Sequence, residues 1–566
     1  MRTNRLNAVA AAAFTTALLL SGCWDGDSEQ AVVTPPVVQE LQNARYQVSF
    51  VDAVSGAPIT DALNVSFVGA AQLKAADGSS LNDKTVATSS GTVFVSADFT
   101  STANNFSVQV ADAGNKGWVP TGTRVVGTAD IKGDQSIEVR MVNTAAAAAV
   151  NASTAPVAMV VTTGAASATG ALTAPVALAT APKTVTNAEG QPETIGTAAL
   201  AISAGTIGKT SSGAPAAAGP LTVSNTYYSN ANVESMTAFP GGFAANVEVP
   251  AANTAVLNGA APDAGTFVTA GFAQFNVTDS QGNAIKTFDK PLTVGIDLPR
   301  NTLDVNGNAL AVGSQYPVWS YDDATGKWVF EKMGTVAEKT PVDPNNFTVQ
   351  FQTNHLSSWN LDQYVNSCTA TINLQGRPAG DTRVLNVEVV GGTGLRYSYA
   401  FPVTDSQLTL FRTPRINATI TVKDRGVVVG KLSDRALCSG AVGVPVVLAP
   451  LQQGSVRIET LESCADGSNQ RAIAASSVLR YTAAGRVTSR AVYTRQLASG
   501  DNLAQASVAS LPSGAVTVQA QNPRTRAWVE PTSITGGATT SVVVTGGTTV
   551  FRFRFPMTCQ NVTGGF

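Results

Sequence analysis

Histidine is almost missing from this chain: His355 stands alone among 566 residues. A metal site built from several histidines is therefore excluded, and a Ser-His-Asp or Cys-His active site would have to use His355. Charge is sparse at 13% of residues. Glycine-rich text such as Gly391-Gly392-Thr393-Gly394 lacks the following lysine and helix of a phosphate cradle. Asp304-Val305-Asn306-Gly307-Asn308 alternates oxygen ligands, but Gln315 stands where a calcium loop needs its twelfth-position glutamate, so the run reads as an Asn-Gly turn. Asp322-Asp323 would point apart in a turn and gives no glycosidase pair. No stretch after the first 22 residues has a long helical period or a second membrane-spanning apolar run. No metal and no cofactor are expected.

The amino terminus carries information. Arg2 and Arg5 precede an apolar stretch from Ala8 to Leu20, too short to span a bilayer comfortably and laid out like a secretory signal. Leu20-Ser21-Gly22-Cys23 resembles the lipobox of bacterial lipoproteins. The resemblance implies cleavage before Cys23 and acylation of that residue with palmitate-type chains, which anchor at about 0.8 kcal/mol per buried methylene. It places the chain in a bacterial cell envelope, with the outer membrane favoured over the inner, and makes the membrane a partner through lipid on Cys23. Residues 23–44 are polar, contain Pro35-Pro36, and read as a tether.

Four cysteines then remain, Cys368, Cys438, Cys464 and Cys559, an even number in an oxidising compartment. Three pairings are open. Cys368 with Cys438 and Cys464 with Cys559 is favoured, because each pair would bracket one proposed domain.

Short alternating runs fill the rest. Tyr46-Gln47-Val48-Ser49-Phe50-Val51 and Val93-Phe94-Val95 have period two and are bounded by turn residues, the mark of strands with one buried face. The turn Asp52-Ala53-Val54-Ser55-Gly56-Ala57-Pro58-Ile59 resembles the opening of carboxypeptidase-regulatory-like and other immunoglobulin-like sandwiches, which implies such a domain over residues 45–143. Val277-Thr278-Asp279-Ser280-Gln281-Gly282-Asn283 repeats the phrasing. Residues 144–190 read as an Ala/Thr-rich linker with a first strand around Ala158 to Thr162. Over residues 191–365, Ala199-Leu200-Ala201-Ile202-Ser203-Ala204-Gly205-Thr206, Ala238-Phe239-Pro240-Gly241-Gly242-Phe243 and Asn354-His355-Leu356-Ser357-Ser358-Trp359 resemble landmarks of a ZU-five-like sandwich, the type found in ankyrins and netrin receptors. Between them Trp319 and Trp328 flank a hairpin turn at Asp322-Asp323-Ala324-Thr325-Gly326. Residues 366–451 and 452–566 read as two further β domains. The expected fold is all-β: tandem β-sandwich domains behind a signal peptide and tether.

Charge divides the chain. Lys plus Arg against Asp plus Glu is 15 to 28 over residues 23–365, a net of −13, and 19 to 10 over residues 366–566, a net of +9. The basic half holds 17 Arg and 2 Lys. Arginine's planar fork suits carboxylate and phosphate, so an anionic glycan, lipopolysaccharide or the acidic half of the same chain is the partner this pattern implies. Nucleic acid is not expected of an exported, acidic protein.

One tripeptide suggests chemistry. His355-Leu356-Ser357 resembles the self-cleaving turn of some netrin-receptor-type and adhesion-receptor domains. That resemblance implies His355 as base and Ser357 as nucleophile, opening the Leu356–Ser357 bond through an ester. The favoured role is nonetheless non-enzymatic: adhesion, glycan binding or envelope scaffolding, with self-cleavage before Ser357 and a ligand-free spacer as alternatives.

Overall fold

In a computed structural model the chain is about 59% strand and 4% helix. The structure describes residues 44–559 apart from 76–77, 132, 189, 232, 245, 324, 379–380, 382, 393–395, 404, 450–453, 484–485, 497–501, 512–513, 536–541 and 545. The all-β expectation holds, and the sheets pack in pairs.

The first sandwich shows how alternation becomes a core. In Ala44–Asp52 the side chains of Tyr46, Val48 and Phe50 are buried, and from the facing sheet Leu63, Val65 and Phe67 of Leu63–Gly69 meet them. One sheet runs Gln72–Lys74, Thr92–Asp98, Ala44–Asp52, Gly133–Met141, the last pair parallel; the other runs Thr85–Thr88, Leu63–Gly69, Asn105–Asp112, Thr121–Val126. The Asp52 turn forms: its Oδ1 accepts from the amides of Val54 at 2.9 Å and Ser55 at 2.6 Å, and Gly56 takes φ +68°. It closes a short antiparallel pair, Val51 with Pro58, with the Asp52 amide donating to Ala57 O and the Ile59 amide to Phe50 O, before the chain crosses to Leu63–Gly69 in the opposite sheet. The Asp279 turn is a hairpin, pairing Thr278 with Ala284 while Asp279 Oδ1 accepts from Gln281 and Asn283.

Residues 144–190 differ from the linker expected of them. Asn143 Oδ1 caps the Ala145 amide at 2.9 Å, and the alanine run becomes the 3-10 turn Thr144–Ala146 and helix Ala147–Ala152. Alanine's helix propensity prevails there once a cap supplies the start. The strands Val157–Ala166, Val176–Ala179 and Lys183–Thr186 come next. Val157–Ala166 pairs along its whole length with Gly219–Tyr228, so the segment belongs to the central sheet.

That twelve-stranded sheet holds the chain's centre. Ala284–Pro299, Asn346–His355, Lys327–Ala337, Gln315–Asp322, Ser358–Val365 and Thr266–Thr278 are successive neighbours, and the last pairs back onto the first through Val277 and Thr278. Its two faces serve two cores. Tyr316, Val318, Trp359 and Leu361 fall in one. Trp319, Trp328, Phe267 and Tyr364 fall in the other, together with Ile372, Leu374, Val387 and Ile420 from beyond residue 366. Val318 and Trp319 serve opposite faces by the ordinary alternation of side chains along a strand. The third sandwich therefore shares its core with the central sheet.

The third sandwich pairs the sheet Gln407–Pro414, Ser367–Gln375, Ala441–Pro445 with the sheet Tyr397–Val403, Leu385–Gly391, Asn417–Asp424, Val427–Ala436. The fourth is centred on parallel strands Gly454–Ser463 and Thr548–Pro556, with Phe551, Phe553 and Phe555 buried while Arg552 and Arg554 point outward. It packs against the first sandwich: Phe94 meets Tyr493 and Trp528 at ring distances of 5.7 and 5.6 Å, and the Arg45 guanidinium lies 4.5 Å over the Tyr493 ring. The described residues form one compact unit.

Candidate functional site

His355 ends the strand Asn346–His355 and Ser358 begins the next, so the His-Leu-Ser turn sits where two interior strands of the central sheet end and begin. The backbone is held on both sides, with the Leu356 amide donating to Lys286 O at 2.9 Å and Ser357 O accepting from the Phe275 amide at 3.3 Å. His355 Nε2 lies 3.1 Å from Glu331 Oε1, and its ring packs 5.0 Å from Trp359. Glu331 also accepts from Ser320 Oγ at 2.6 Å. Burial pushes the Glu331 carboxyl up, but the hydrogen bonds from His355 and Ser320 outweigh it and hold it below its ordinary value. Ser357, 8% exposed, donates its hydroxyl proton to Tyr321 O. The two groups that self-cleavage would bring together are thus turned to different partners.

The cysteines pair as Cys368–Cys438 and Cys464–Cys559, with Cα separations of 5.9 and 5.6 Å. The first bond joins the start of a strand in one sheet of the third sandwich to the turn after the edge strand of the other. The second ties the ends of the two parallel strands of the fourth, just past the pairing of Ser463 with Pro556. Cys23 lies outside the described residues.

Most of the C-terminal arginines are engaged within the chain. Arg383 grips Asp381 and Asp424; Arg471 and Arg524 both grip the fully buried Glu462; Arg457 and Arg552 share Glu459. Arg425 pairs with Asp424. Others reach the acidic half: Arg396 meets Glu193 at 3.1 Å, Arg412 donates to Ala244 O, Arg480 to Ser90 O and Arg526 to Ser79 Oγ. Sequence reasoning saw the arginine excess but not these acceptors: Asp381, Asp424 and Glu459 each have one arginine within two residues, and the other partners are distant in sequence. Arg415, Arg435 and Arg554 remain exposed.

A cleft of about 990 Å³ opens between the first sandwich and the central sheet, lined by neutral polar groups such as Asn64, Gln109, Ser224 and Asn276, by Trp118, and by the pair Lys286–Asp323. Among the described residues no group of three or more His, Cys, Asp or Glu could hold a metal ion, and no helix is long and apolar enough to cross a membrane.

No protein-family model matches the chain, and no curated protein matches it. Among solved structures it is similar to GBS52, the minor pilin of Streptococcus agalactiae, at 10% identity over 35% of this chain and all of that one, TM-score 0.14. It is similar to the streptococcal ancillary pilin at 10% identity, covering 45% of this chain and 97% of that one, TM-score 0.15. BcpA, the major pilin subunit of Bacillus cereus, matches at 11% identity over 90% of this chain and 98% of that one, TM-score 0.12. Superpositions this weak carry no argument about role.

Proposed function

We propose that the chain is a non-enzymatic scaffold of the cell envelope, moored by lipid on Cys23, in which immunoglobulin-like and ZU-five-like sandwiches are fused into one body. The observation that carries this reading is that the side chains suited to chemistry or ion binding are spent inside the molecule. His355 faces Glu331, Ser357 faces a carbonyl, and the buried carboxylates Glu459, Glu462 and Asp424 hold the arginines. Two disulfides suit an oxidising compartment. Adhesion to an anionic glycan or to lipopolysaccharide is the second reading, favoured by the exposed Arg415, Arg435 and Arg554. Such binding would weaken with added salt.

The anchoring half of the proposal is tested by metabolic labelling. Full-length chain incorporates labelled palmitate and fractionates with membranes, whereas Cys23→Ser does neither. A Cys23→Ser variant that still labels and still sediments with membranes contradicts it.

A further inference from the structure

Arg124 differs from the arginines described above. It lies in Thr121–Val126, an outer strand of the first sandwich, and is only 9% exposed. Among the described residues its Nε and Nη2 have no hydrogen-bond partner. Those two nitrogens form one edge of the guanidinium fork, and elsewhere in this chain the same edge grips a carboxylate: Arg383 holds Asp381, Arg524 holds Glu462 and Arg552 holds Glu459 through Nε and Nη2. At Arg124 the edge is bare.

A second arginine converges on the same loop. The Arg124 amide donates to Gly241 O at 3.1 Å, and Gly241 and Gly242 turn the chain with φ of +72° and +64°. A side chain at Gly242 would start 3.3 Å from Thr123 Oγ1, so glycine keeps this approach open. A few residues on, Arg412 Nη1 donates to Ala244 O at 3.0 Å and Asn246 Oδ1 at 3.2 Å. Arg412 itself holds φ +54°, a conformation that L residues rarely adopt. Burial lowers the proton affinity of Arg124 to a pKa of about 9, with the charge of Arg412 adding to the effect, while Tyr364, Tyr321 and Asp263 act in the opposite sense. Asp263 is exposed, and among the described residues no ion pair joins it to either arginine. A buried cation beside a like charge calls for a counter-charge.

We propose that Arg124 and Arg412, at the junction of the first sandwich, the central sheet and the third sandwich, form a binding site for a small oxyanion that presents two oxygens to the bare edge of Arg124. Phosphate or sulfate and the carboxylate of a small organic acid share that chemistry. The site is independent of the scaffold reading and would make the junction between sandwiches sensitive to the ion.

Full-length protein exchanged into chloride-only buffer and titrated with inorganic phosphate or with acetate, at constant ionic strength, distinguishes the two sources. A saturable rise in melting temperature with one of them is expected, and Arg124→Met should weaken the apparent affinity about tenfold or more. An equal rise in wild type and Arg124→Met, or none with either anion, overturns the site. Should Arg124→Met not fold, crystals of the unaltered chain grown with selenate settle it. Anomalous density within hydrogen-bond distance of Arg124 Nε and Nη2 supports the proposal, and an empty edge overturns it.

Discussion

Arg383→Met lowers the stability of the chain by about 3 to 5 kcal/mol, as loss of one partner from a buried ion cluster does. The side chain is 3% exposed and its partners Asp381 and Asp424 are 4% and 5% exposed. Nε binds both oxygens of Asp381, at 3.1 and 2.9 Å, while Nη1 reaches Asp424 at 3.3 Å and Ala449 O at 2.9 Å. Methionine fills similar space and takes from Asp381 and Asp424 the cation they share, leaving Arg377 beside the first and Arg425 beside the second. The pH dependence carries the sign. Burial pushes the Asp381 carboxyl up, but the Arg383 guanidinium outweighs this and holds it below the ordinary value of 3.8. A depressed carboxyl contributes stability above its unfolded pKa and loses it as pH falls through the folded one. In Arg383→Met the guanidinium's share is lost, only the amide of residue 383 and the charge of Arg377 still oppose burial, and the carboxyl pKa rises. The gap between wild type and variant in urea unfolding followed by circular dichroism is therefore widest near neutrality and closes in acid. A gap that stays constant down to about pH 3 would show that the cluster is not what the substitution breaks.

Removing the disulfides has a comparable effect by a different route. The bonded cysteines are 70 and 95 residues apart in sequence. Closing loops of that size restricts the unfolded chain by roughly 4 kcal/mol each in the chain-entropy model. Paired Cys368→Ser and Cys438→Ser changes should lower the unfolding free energy by that amount, and the matching pair at Cys464 and Cys559 should do so again. The two bonds lie in different sandwiches, so the losses should add to within about 0.5 kcal/mol. A shift under about 1 kcal/mol for either pair would mean that the reduced chain keeps its ends together without the bond.

What could be read from the residues was local. Tyr46, Val48 and Phe50 alternate with polar neighbours and are buried, with Gln47 buried between them and Arg45 and Ser49 half-buried. The Asp-Gly phrases at Asp52 and Asp279 form turns because the carboxylate caps amides two to four residues on. Both turns close antiparallel pairs, but where the chain goes next depends on distant strands: after Asp52 it crosses to the other sheet, after Asp279 it continues the hairpin. Trp319 and Trp328 announce a buried hairpin. That they share one core with Leu374 and Val387, and so fuse two proposed domains, is written nowhere near them. The arginine excess shows the same limit, since Arg524 and Glu462, or Arg396 and Glu193, meet only after folding. Arg124 looks ordinary in its strand, and what sets it apart is that, among the described residues, its Nε and Nη2 meet no acceptor.

The most direct test of a covalently intact, cross-linked scaffold is the mass of the chain recovered from the envelope, before and after reduction. One polypeptide running unbroken through Leu356–Ser357, gaining the mass of four hydrogens on reduction of two disulfides, is the predicted result. A fragment beginning at Ser357, or four free thiols before reduction, would contradict it.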